Sequence, residues 1–485
     1  MRLDELAAAA EALRTNGDSG VEIAALAYDS RRVEPGTLFF CVVGEKADGH
    51  EFAAGAVERG AAALVVEREL AELAVPQAVV ADARAAMAPI AARFWGNPTA
   101  ELRVAGITGT NGKTTTAFLL REVLEAAAIQ SGLLGTVKQV VGAVEEEVER
   151  TTPEAIDLQE TFRRMLQGGD RACAMEVSSH ALALHRVDAV RFELALFTNL
   201  TQDHLDFHAD MEDYFRSKRR LLAELGPEAA VVNVDDPYGR RLAGEFECLT
   251  FSAEGAEADF SARDVSFDAS GASFTVAGPE GETAVRTLMP GHFNVANALG
   301  AFAAAIALEV SPREAAIGLE KARRVPGRFE PVDEGQDFAV LVDYAHTPDS
   351  LDNVLGAARR LTEGRVISVF GAGGDRDRDK RPKMGRAGAD GSDLTIVTSD
   401  NPRSEDPEAI IAEVLAGTGE GAGIESEPDR RAAIALAFER AEPGDTVVIA
   451  GKGHEQGQEF EDGRKVPFDD REVAREELLR LGGGG

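Results

Sequence analysis

Two glycines, a lysine and two threonine hydroxyls fall within six residues at Gly109-Thr110-Asn111-Gly112-Lys113-Thr114. The segment follows the apolar run "LRVAGIT" and opens a helical pattern. Strand, glycine loop and helix in that order are what a phosphate-cradling loop requires. The glycines let the main chain curl so that N–H groups point at phosphate oxygens, the lysine reaches the outer phosphates, and the next hydroxyl ligates Mg²⁺. Lys113 and Thr114 are therefore assigned to phosphate and magnesium. Such a loop can time a switch, drive mechanical work or activate a carboxylate for attack by an amine. The guanine-reading pair Asn-Lys is absent, since no Asn is followed by Lys, which argues against a Ras-type switch.

Three further groups stand where metal or phosphate chemistry would place them. Glu176, in "AMEVSSHALALHRV", ends an apolar run, where a carboxylate can face a phosphate-bound cation that prefers oxygen ligands. An isolated glutamate there would read as a solvated loop acid; beside a phosphate loop it becomes a candidate ligand. "TNLTQDHLDFH" brings Asp203 and His204 to the end of another such run. Lys218, in "DYFRSKRRLL", reads by composition as one member of a basic helix face.

Around these residues the chain divides into three blocks. Residues 1–97 alternate short apolar runs ("TLFFCVV", "AALVVE", "QAVVA") with Ala-rich helical stretches, and begin with an amphipathic helical pattern. Residues 98–327 hold the phosphate loop, near-continuous apolar runs typical of strands buried on both faces, a polar/apolar alternation ("DFSARDVSFDASGASFTVAG") predicting an antiparallel hairpin, and the buried-helix pattern "FNVANALGAFAAAIALEV". Residues 328–485 restart with "FAVLVDYAHTP", "RVISVFGAGGDRD", "DLTIVTSDNPR" and "DTVVIAGKGHE". Each is a short β-rich run ending in a polar loop, as at the carboxyl ends of a doubly wound sheet, where ligands bind. The fold class is α/β in three domains. The central one is a doubly wound sheet with a small antiparallel portion, and the C-terminal one is Rossmann-like. The tail "LGGGG" is expected to be disordered.

Composition narrows the partners. Acids outnumber bases 84 to 51, a formal net charge of -33, so nucleic acid and anionic membranes should be repelled. Phosphates must then be held in local pockets of N–H groups, metal ions and a few placed cations. The three cysteines, Cys41, Cys173 and Cys248, form no CxxC or Cys/His cluster, which argues against a disulfide framework or structural zinc. No apolar run is long enough for a membrane span and no secretory pattern is present, so the cytoplasm is the expected compartment.

The motifs "GTNGKTT", "TTPE", "MEVSSHAL", "TNLTQDHLDFH", "SKRRL", "GHFNVANALGA", "VPGRFE", "VDYAHTPDSL", "GGDRDRDKRPKMG", "SDNPR" and "GKGHE" together resemble the Mur ligase family, in order and over essentially the whole chain. The resemblance implies an N-terminal domain that binds a UDP-sugar peptide, a central ATP domain and a C-terminal amino-acid domain. It implies a ligase of peptidoglycan-precursor synthesis, in which ATP phosphorylates a carboxylate and an amine attacks the acyl phosphate. Lys113, Glu176, His204 and Lys218 match its catalytic positions. Thr114 and Glu176 would hold one Mg²⁺, while His204 and a carbamylated Lys218 would support a second. Carbamylation needs neutral amine, and Arg216, Arg219 and Arg220 could lower the lysine's pKa if they lie close in space. The ATP positions are Gly109, Thr110, Asn111, Gly112, Lys113, Thr114, Thr115, Asn294, Asn297, Arg328 and Asp343, with His346 beside them.

Tyr28, Ser30, Glu45, Lys46, Ala47, Thr151, Thr152, Ser178 and Arg186 match contacts to the UDP-sugar peptide. The chain departs from some relatives at Glu45-Lys46, at Arg150 (Asn elsewhere) and at Leu184 (Gln elsewhere), so side-chain contacts are not carried over there. Arg376, Asp400, Asn401, Pro402, Arg403, Gly451 and Glu455 match the amino-acid contacts. Within the family, "SDNPR" resembles the branch that adds meso-diaminopimelate, because the guanidinium of Arg403 suits a second carboxylate. The lysine-adding branch is the nearest alternative, followed by a folylpolyglutamate synthetase-like ligase and a non-catalytic ATP-binding scaffold. The expected partners are small molecules, and the chain is expected to be a monomer.

Overall fold

The computed structural model describes residues 1–44, 47–148, 150–419 and 423–482. Glu45 and Lys46, two of the expected sugar-peptide contacts, lie outside the described residues. The chain forms two compact units. One comprises Met1–Thr108, Ala128–Ala195 and Ser217–Ala229; the other comprises Gly109–Ala127, Leu196–Arg216 and Ala230–Gly485.

In the first unit the N-terminal residues build a five-stranded sheet in the order Arg14–Asn16, Gln77–Val79, Ala61–Val66, Thr37–Phe40, Ala25–Ala27. Only the edge strand Arg14–Asn16 is antiparallel. Thr37–Phe40 is buried at every position, which explains the unbroken apolar run from Leu38 to Phe40. Leu38, Phe40 and Val65 face a core shared with the helices Leu3–Ala9 and Ala83–Phe94, whereas Phe39, Leu64 and Val66 face a second core. Elsewhere in this unit Ala172–Glu176 runs parallel to both Arg103–Thr108 and Ser131–Leu134. All five of its residues are buried, so an apolar strand carries the Glu176 carboxylate into the interior.

In the second unit the helix Lys113–Ala126 packs against His292–Ala307 and Pro312–Lys321. A Cβ on Gly318 would come within 2.5 Å of Val123 Cα, so only glycine allows that close crossing. His292–Ala307 is buried around most of its circumference, as its continuous apolar pattern requires. The predicted hairpin is present: Phe260–Asp268, Gly271–Gly278 and Gly281–Thr287 form an antiparallel meander. It continues through parallel pairs to Leu249–Ser252 and Ala229–Asn233.

The same unit contains a six-stranded sheet in the order Glu330–Pro331, Ala339–Asp343, Thr446–Ala450, Val366–Phe370, Leu394–Val397, Ile424–Ser426. It is parallel except for the edge strand Glu330–Pro331. Val340 and Val342 face one core and Leu341 the other, so both faces are covered, as a doubly wound sheet needs. The C-terminal helix Asp470–Gly482 takes in Leu481 and Gly482. The start of the "LGGGG" tail is thus helical rather than disordered, because Leu478 anchors the preceding turn in the core; the last three glycines lie outside the described residues. No described helix is long and apolar enough to cross a membrane.

Candidate active site

The phosphate loop begins where the strand Arg103–Thr108 ends and closes at the helix Lys113–Ala126. Gly112 has φ +86°, and a Cβ there would lie 2.3 Å from Asn297 Oδ1. Only glycine fits both the left-handed backbone and the close approach. Lys113 Nζ donates to the carbonyls of Gly109 and Thr110 at 2.9 and 2.7 Å. Two loop amides are not free for phosphate, contrary to the simple picture of successive N–H groups facing the ligand. Thr110 N–H donates to the Asn199 carbonyl and Asn111 N–H to Asn199 Oδ1, both at 2.9 Å. Asn199 thus fixes the loop's entry. Asn111 Nδ2 in turn donates to Asp349 Oδ2 at 2.8 Å, and burial pushes the Asp349 carboxyl up.

The other expected ATP residues form a support for this loop. Asn294 is fully buried; its amide donates to the Pro290 carbonyl at 2.8 Å and its Oδ1 accepts from Asn297 at 3.3 Å. It holds Asn297 against Gly112. Thr115 is buried in the first turn of the helix. Arg328 donates to Thr114 Oγ1 at 2.9 Å and its guanidinium lies 4.4 Å from the centre of the Tyr344 ring. Asp343 accepts from the amides of Phe329 and Ala345, at 2.6 and 2.8 Å. Burial pushes its carboxyl up, against the Arg328 charge and those two amides. It shapes the turn that carries Arg328.

Also in the second unit, His204 sits in the left-handed region at φ +56°, with Nε2 3.3 Å from Asp203 Oδ2. Asp203 also faces His346 Nε2 and Lys380 Nζ, each at 3.6 Å. Burial pushes its carboxyl up, but the charges of His204, Lys380 and His346 outweigh burial and hold it well below the usual range. His346 Nδ1 donates to the Tyr344 carbonyl at 2.8 Å; since a carbonyl only accepts, that nitrogen carries the proton.

Glu176 and Lys218 belong to the first unit, Thr114 and His204 to the second. Glu176 is 1% exposed. Its carboxylate accepts from Thr136 N–H at 2.7 Å and from the Thr136 hydroxyl at 3.1 Å. A Cβ on Gly135 would lie 2.6 Å from Glu176 Oε1. The sugar-peptide residues adjoin it. Thr151 and Thr136 share a hydrogen bond of 3.0 Å, and Thr152 Oγ1 donates to the Glu176 carbonyl at 2.9 Å. Ser178 caps the helix Ser179–Ala183 and its N–H donates to Thr152 Oγ1. Leu184 merely ends that helix.

Arg186 donates to the Thr152 carbonyl at 3.1 Å and meets Glu154 at 2.8 Å. Arg150 and Arg84 reach the same carboxylate, at 3.1 and 3.5 Å. Tyr28 donates to Asp157 at 2.7 Å. Ser30 opens a short 3₁₀ turn capped by Asp29, and the Ala47 carbonyl accepts from Gly44 N–H. Lys218 is 1% exposed, buried rather than displayed on a basic face. Arg216 and Arg220, two residues away along the helix Met211–Ala223, point elsewhere: Arg216 to Asp213, and Arg220 to Glu224, Asp188 and the Leu182 carbonyl. Helix geometry turns i±2 neighbours to different faces. Among the described residues no three His, Cys, Asp or Glu side chains gather as a metal site.

The expected amino-acid residues come from three loops of the six-stranded sheet. Arg403, at φ +51°, donates from Nη1 to the Gly374 carbonyl at 2.7 Å and from Nε to Glu459 Oε2 at 3.1 Å. Pro402 lies so close to Gly374 that a Cβ there would meet the Pro402 carbonyl at 1.9 Å. Arg376 meets Asp206 at 3.1 Å. Asn401 donates to Glu455 Oε2 at 3.0 Å. Gly451 has φ +121°, with Asp400 beside it. Burial pushes the Asp400 carboxyl up, but Lys452, Arg430, His346 and Arg403 together bring it below the ordinary value.

Sequence reasoning missed Asn199, Thr136, Asp349 and Glu459. Glu459 lies on a small hairpin, Gly457–Glu459 with Lys465–Pro467, whose turn uses the left-handed pair Asp462-Gly463. That Asp-Gly pair was the available signal.

Three domain families match the chain: "Mur ligase family, catalytic domain" over residues 22–95, "Mur ligase middle domain" over 107–305 and "Mur ligase, glutamate ligase domain" over 327–453. A UDP-N-acetylmuramoyl-L-alanyl-D-glutamate–2,6-diaminopimelate ligase of Streptomyces coelicolor is 48% identical, over 96% of this chain and 94% of its own. One of the same name from Clostridioides difficile is 42% identical over 99% and 100%. A solved structure of a ligase with that name matches with TM-score 0.70 at 31% identity, over 99% of both chains. MurF ligase from Thermotoga maritima, solved in complex with ADP, shares the fold with TM-score 0.64 at 19% identity, over 95% and 97%.

Proposed function

We propose a specific reaction from a plain premise: the chain belongs to the Mur ligase family. The chain is an ATP-dependent amide-bond ligase. It adds meso-2,6-diaminopimelate to the γ-carboxylate of the D-glutamyl residue in UDP-N-acetylmuramoyl-L-Ala-D-Glu. The observation that carries this reading is the near-full-length similarity to ligases named for that reaction. The contact of Asn401 with Glu455, and the link of Arg403 to Asn401 through Glu459, support the choice of amino acid. Three domains divide the work: 1–97 for UDP, 98–327 for ATP and 328–485 for the amino acid.

A free carboxylate resists an amine because oxide would have to leave. Transfer of the γ-phosphoryl group of ATP gives an acyl phosphate, whose leaving group is phosphate. The phosphate loop, with Lys113, holds the ATP phosphates while Asn297 and Arg328 support the loop and its Thr114 hydroxyl. The Thr114 hydroxyl and Glu176 carboxylate are hard oxygen donors that fit magnesium. His204 and Lys218 fit a second ion once the buried Lys218 amine is carbamylated, which replaces a cation with an oxygen ligand. Magnesium, when bound, offsets the negative charge that gathers as the two anions meet. Thr151, Thr152, Ser178 and Arg186 orient the sugar peptide, with Tyr28, Ser30 and Ala47 toward the uridine end. Arg403, Asn401, Arg376 and Glu455 present the amine, which attacks the acyl carbon; the tetrahedral intermediate collapses to amide and phosphate. The protein acts as a cytoplasmic monomer on these small molecules.

Hydroxylamine tests the route. With ATP, Mg²⁺ and the UDP-dipeptide but no amino acid, hydroxylamine should intercept the acyl phosphate as a γ-hydroxamate, seen by mass spectrometry together with ADP. A hydroxamate requires the activated carboxylate; ADP formation under turnover with no trappable species would contradict the intermediate.

A further inference from the structure

Lys452, between Gly451 and Glu455, has no role in the reading above, yet its side chain is 0% exposed. Its ammonium faces three acceptors: Asn401 Oδ1 at 2.8 Å, Glu455 Oε2 at 3.1 Å and Asp400 Oδ1 at 3.4 Å. An ammonium has three N–H donors and no acceptor. All three are committed, so the group has none left for a ligand.

Its effect on its neighbours is more specific than charge balance. Asn401 Oδ1 accepts from Lys452 and also from the Glu459 N–H at 2.9 Å. Both partners can only donate, so the oxygen must face them, and the amide cannot turn over. Asn401 therefore presents its NH₂ on the other side. One N–H goes to Glu455 Oε2; the other is a donor without a protein partner among the described residues. Glu455 is constrained in a matching way: Oε2 takes both Lys452 and Asn401, which leaves Oε1 as the acceptor. A fixed donor beside a fixed carboxylate oxygen suits the zwitterionic end of an amino acid, carboxylate to Asn401 and ammonium to Glu455.

We propose that Lys452 is the positioning residue of the amino-acid site, locking Asn401 as a donor and Glu455 as a one-oxygen acceptor without touching the substrate. This rests on the ligase reading above. The test is steady-state kinetics of full-length Lys452→Met, with diaminopimelate, ATP and the UDP-dipeptide varied in turn. The KM for diaminopimelate should rise at least about tenfold, as for loss of a charge-assisted hydrogen bond. The other two KM values should stay within about twofold. In an Asn401→Ala background the same substitution should raise the diaminopimelate KM by a clearly smaller factor than in wild type, since part of its effect runs through that side chain and only the part through Glu455 remains.

Equal rises in all three KM values, or full additivity with Asn401→Ala, would show a merely structural ion pair and overturn the proposal. If Lys452→Met does not fold, Asn401→Asp keeps the Lys452 partner but removes the donor. It should raise the diaminopimelate KM similarly, and an unchanged KM overturns the proposal. Wild-type protein without diaminopimelate-dependent turnover overturns the ligase reading as well; wild-type turnover with an insensitive Lys452 variant overturns this role alone.

Discussion

At the phosphate loop, six consecutive residues make the site, and its shape comes from the backbone. At the amino-acid corner of the same unit, the groups come from residues 376, 400–403 and 451–455, and side chains hold one another in place. Gly112 fits because nothing larger can stand against Asn297, and Thr110 and Asn111 are tied by their own amides to Asn199. Arg403, Asn401 and Glu455 instead depend on Glu459 and Lys452. A backbone-built site should fail all at once when its geometry is blocked. A site built from side chains should fail in steps and for one substrate at a time.

The largest effect should come from Lys113→Ala, which leaves the loop's backbone but removes the cation. Turnover should fall by about a thousandfold or more in single-turnover assays, the scale for losing a placed charge at a transferring phosphoryl group. Gly112→Ala comes next: the added Cβ collides with Asn297 and the φ is wrong for an L side chain. ATP affinity by calorimetry should drop at least about a hundredfold, because strain in the loop removes several hydrogen bonds together. Thermal unfolding should move little, since the loop is not core.

At the other corner, Arg403→Lys keeps the charge and loses the planar fork. The diaminopimelate KM should rise about 10- to 100-fold with the ATP KM unchanged. A matching rise in the ATP KM would erase the distinction between the two corners. Arg403 already spends Nε on Glu459 and Nη1 on Gly374, so the incoming carboxylate must take the Nη2 edge or displace Glu459.

The smallest effect concerns acid stability near that corner. Arg381, buried, grips Glu405 through both nitrogens of its fork at 2.7 and 2.9 Å, and that hydrogen bonding holds the Glu405 carboxyl down at about 2. A depressed carboxyl stabilises the fold above its unfolded value of 4.5 and loses that contribution as pH falls toward 2. Glu405→Gln should therefore flatten the stability profile between those values, measured by denaturant unfolding at several pH values, with ATP turnover retained.

Much of the architecture was legible because strands buried on both faces leave near-continuous apolar runs, as in Val366–Phe370, and because His292–Ala307 is apolar over most of its length. The phosphate loop was legible because its residues are consecutive. What stayed hidden depends on long-range pairing. Thr136 became a partner of Glu176, Asp349 of Asn111 and Glu459 of Arg403 only once distant segments met. No local pattern around Thr136 or Asp349 announces that. Lys218 read as surface because its neighbours are basic, but its side chain lies on the buried face of its helix.

The most direct test of the central claim is phosphate release by the purified protein with ATP, Mg²⁺ and UDP-N-acetylmuramoyl-L-Ala-D-Glu, offering meso-diaminopimelate and L-lysine in parallel. Release should depend on diaminopimelate and be absent with lysine, because Arg403 and Asn401 then have no second carboxylate to meet. Equal release with lysine would contradict the role given to that corner, and no release with either amino acid would contradict the ligase itself.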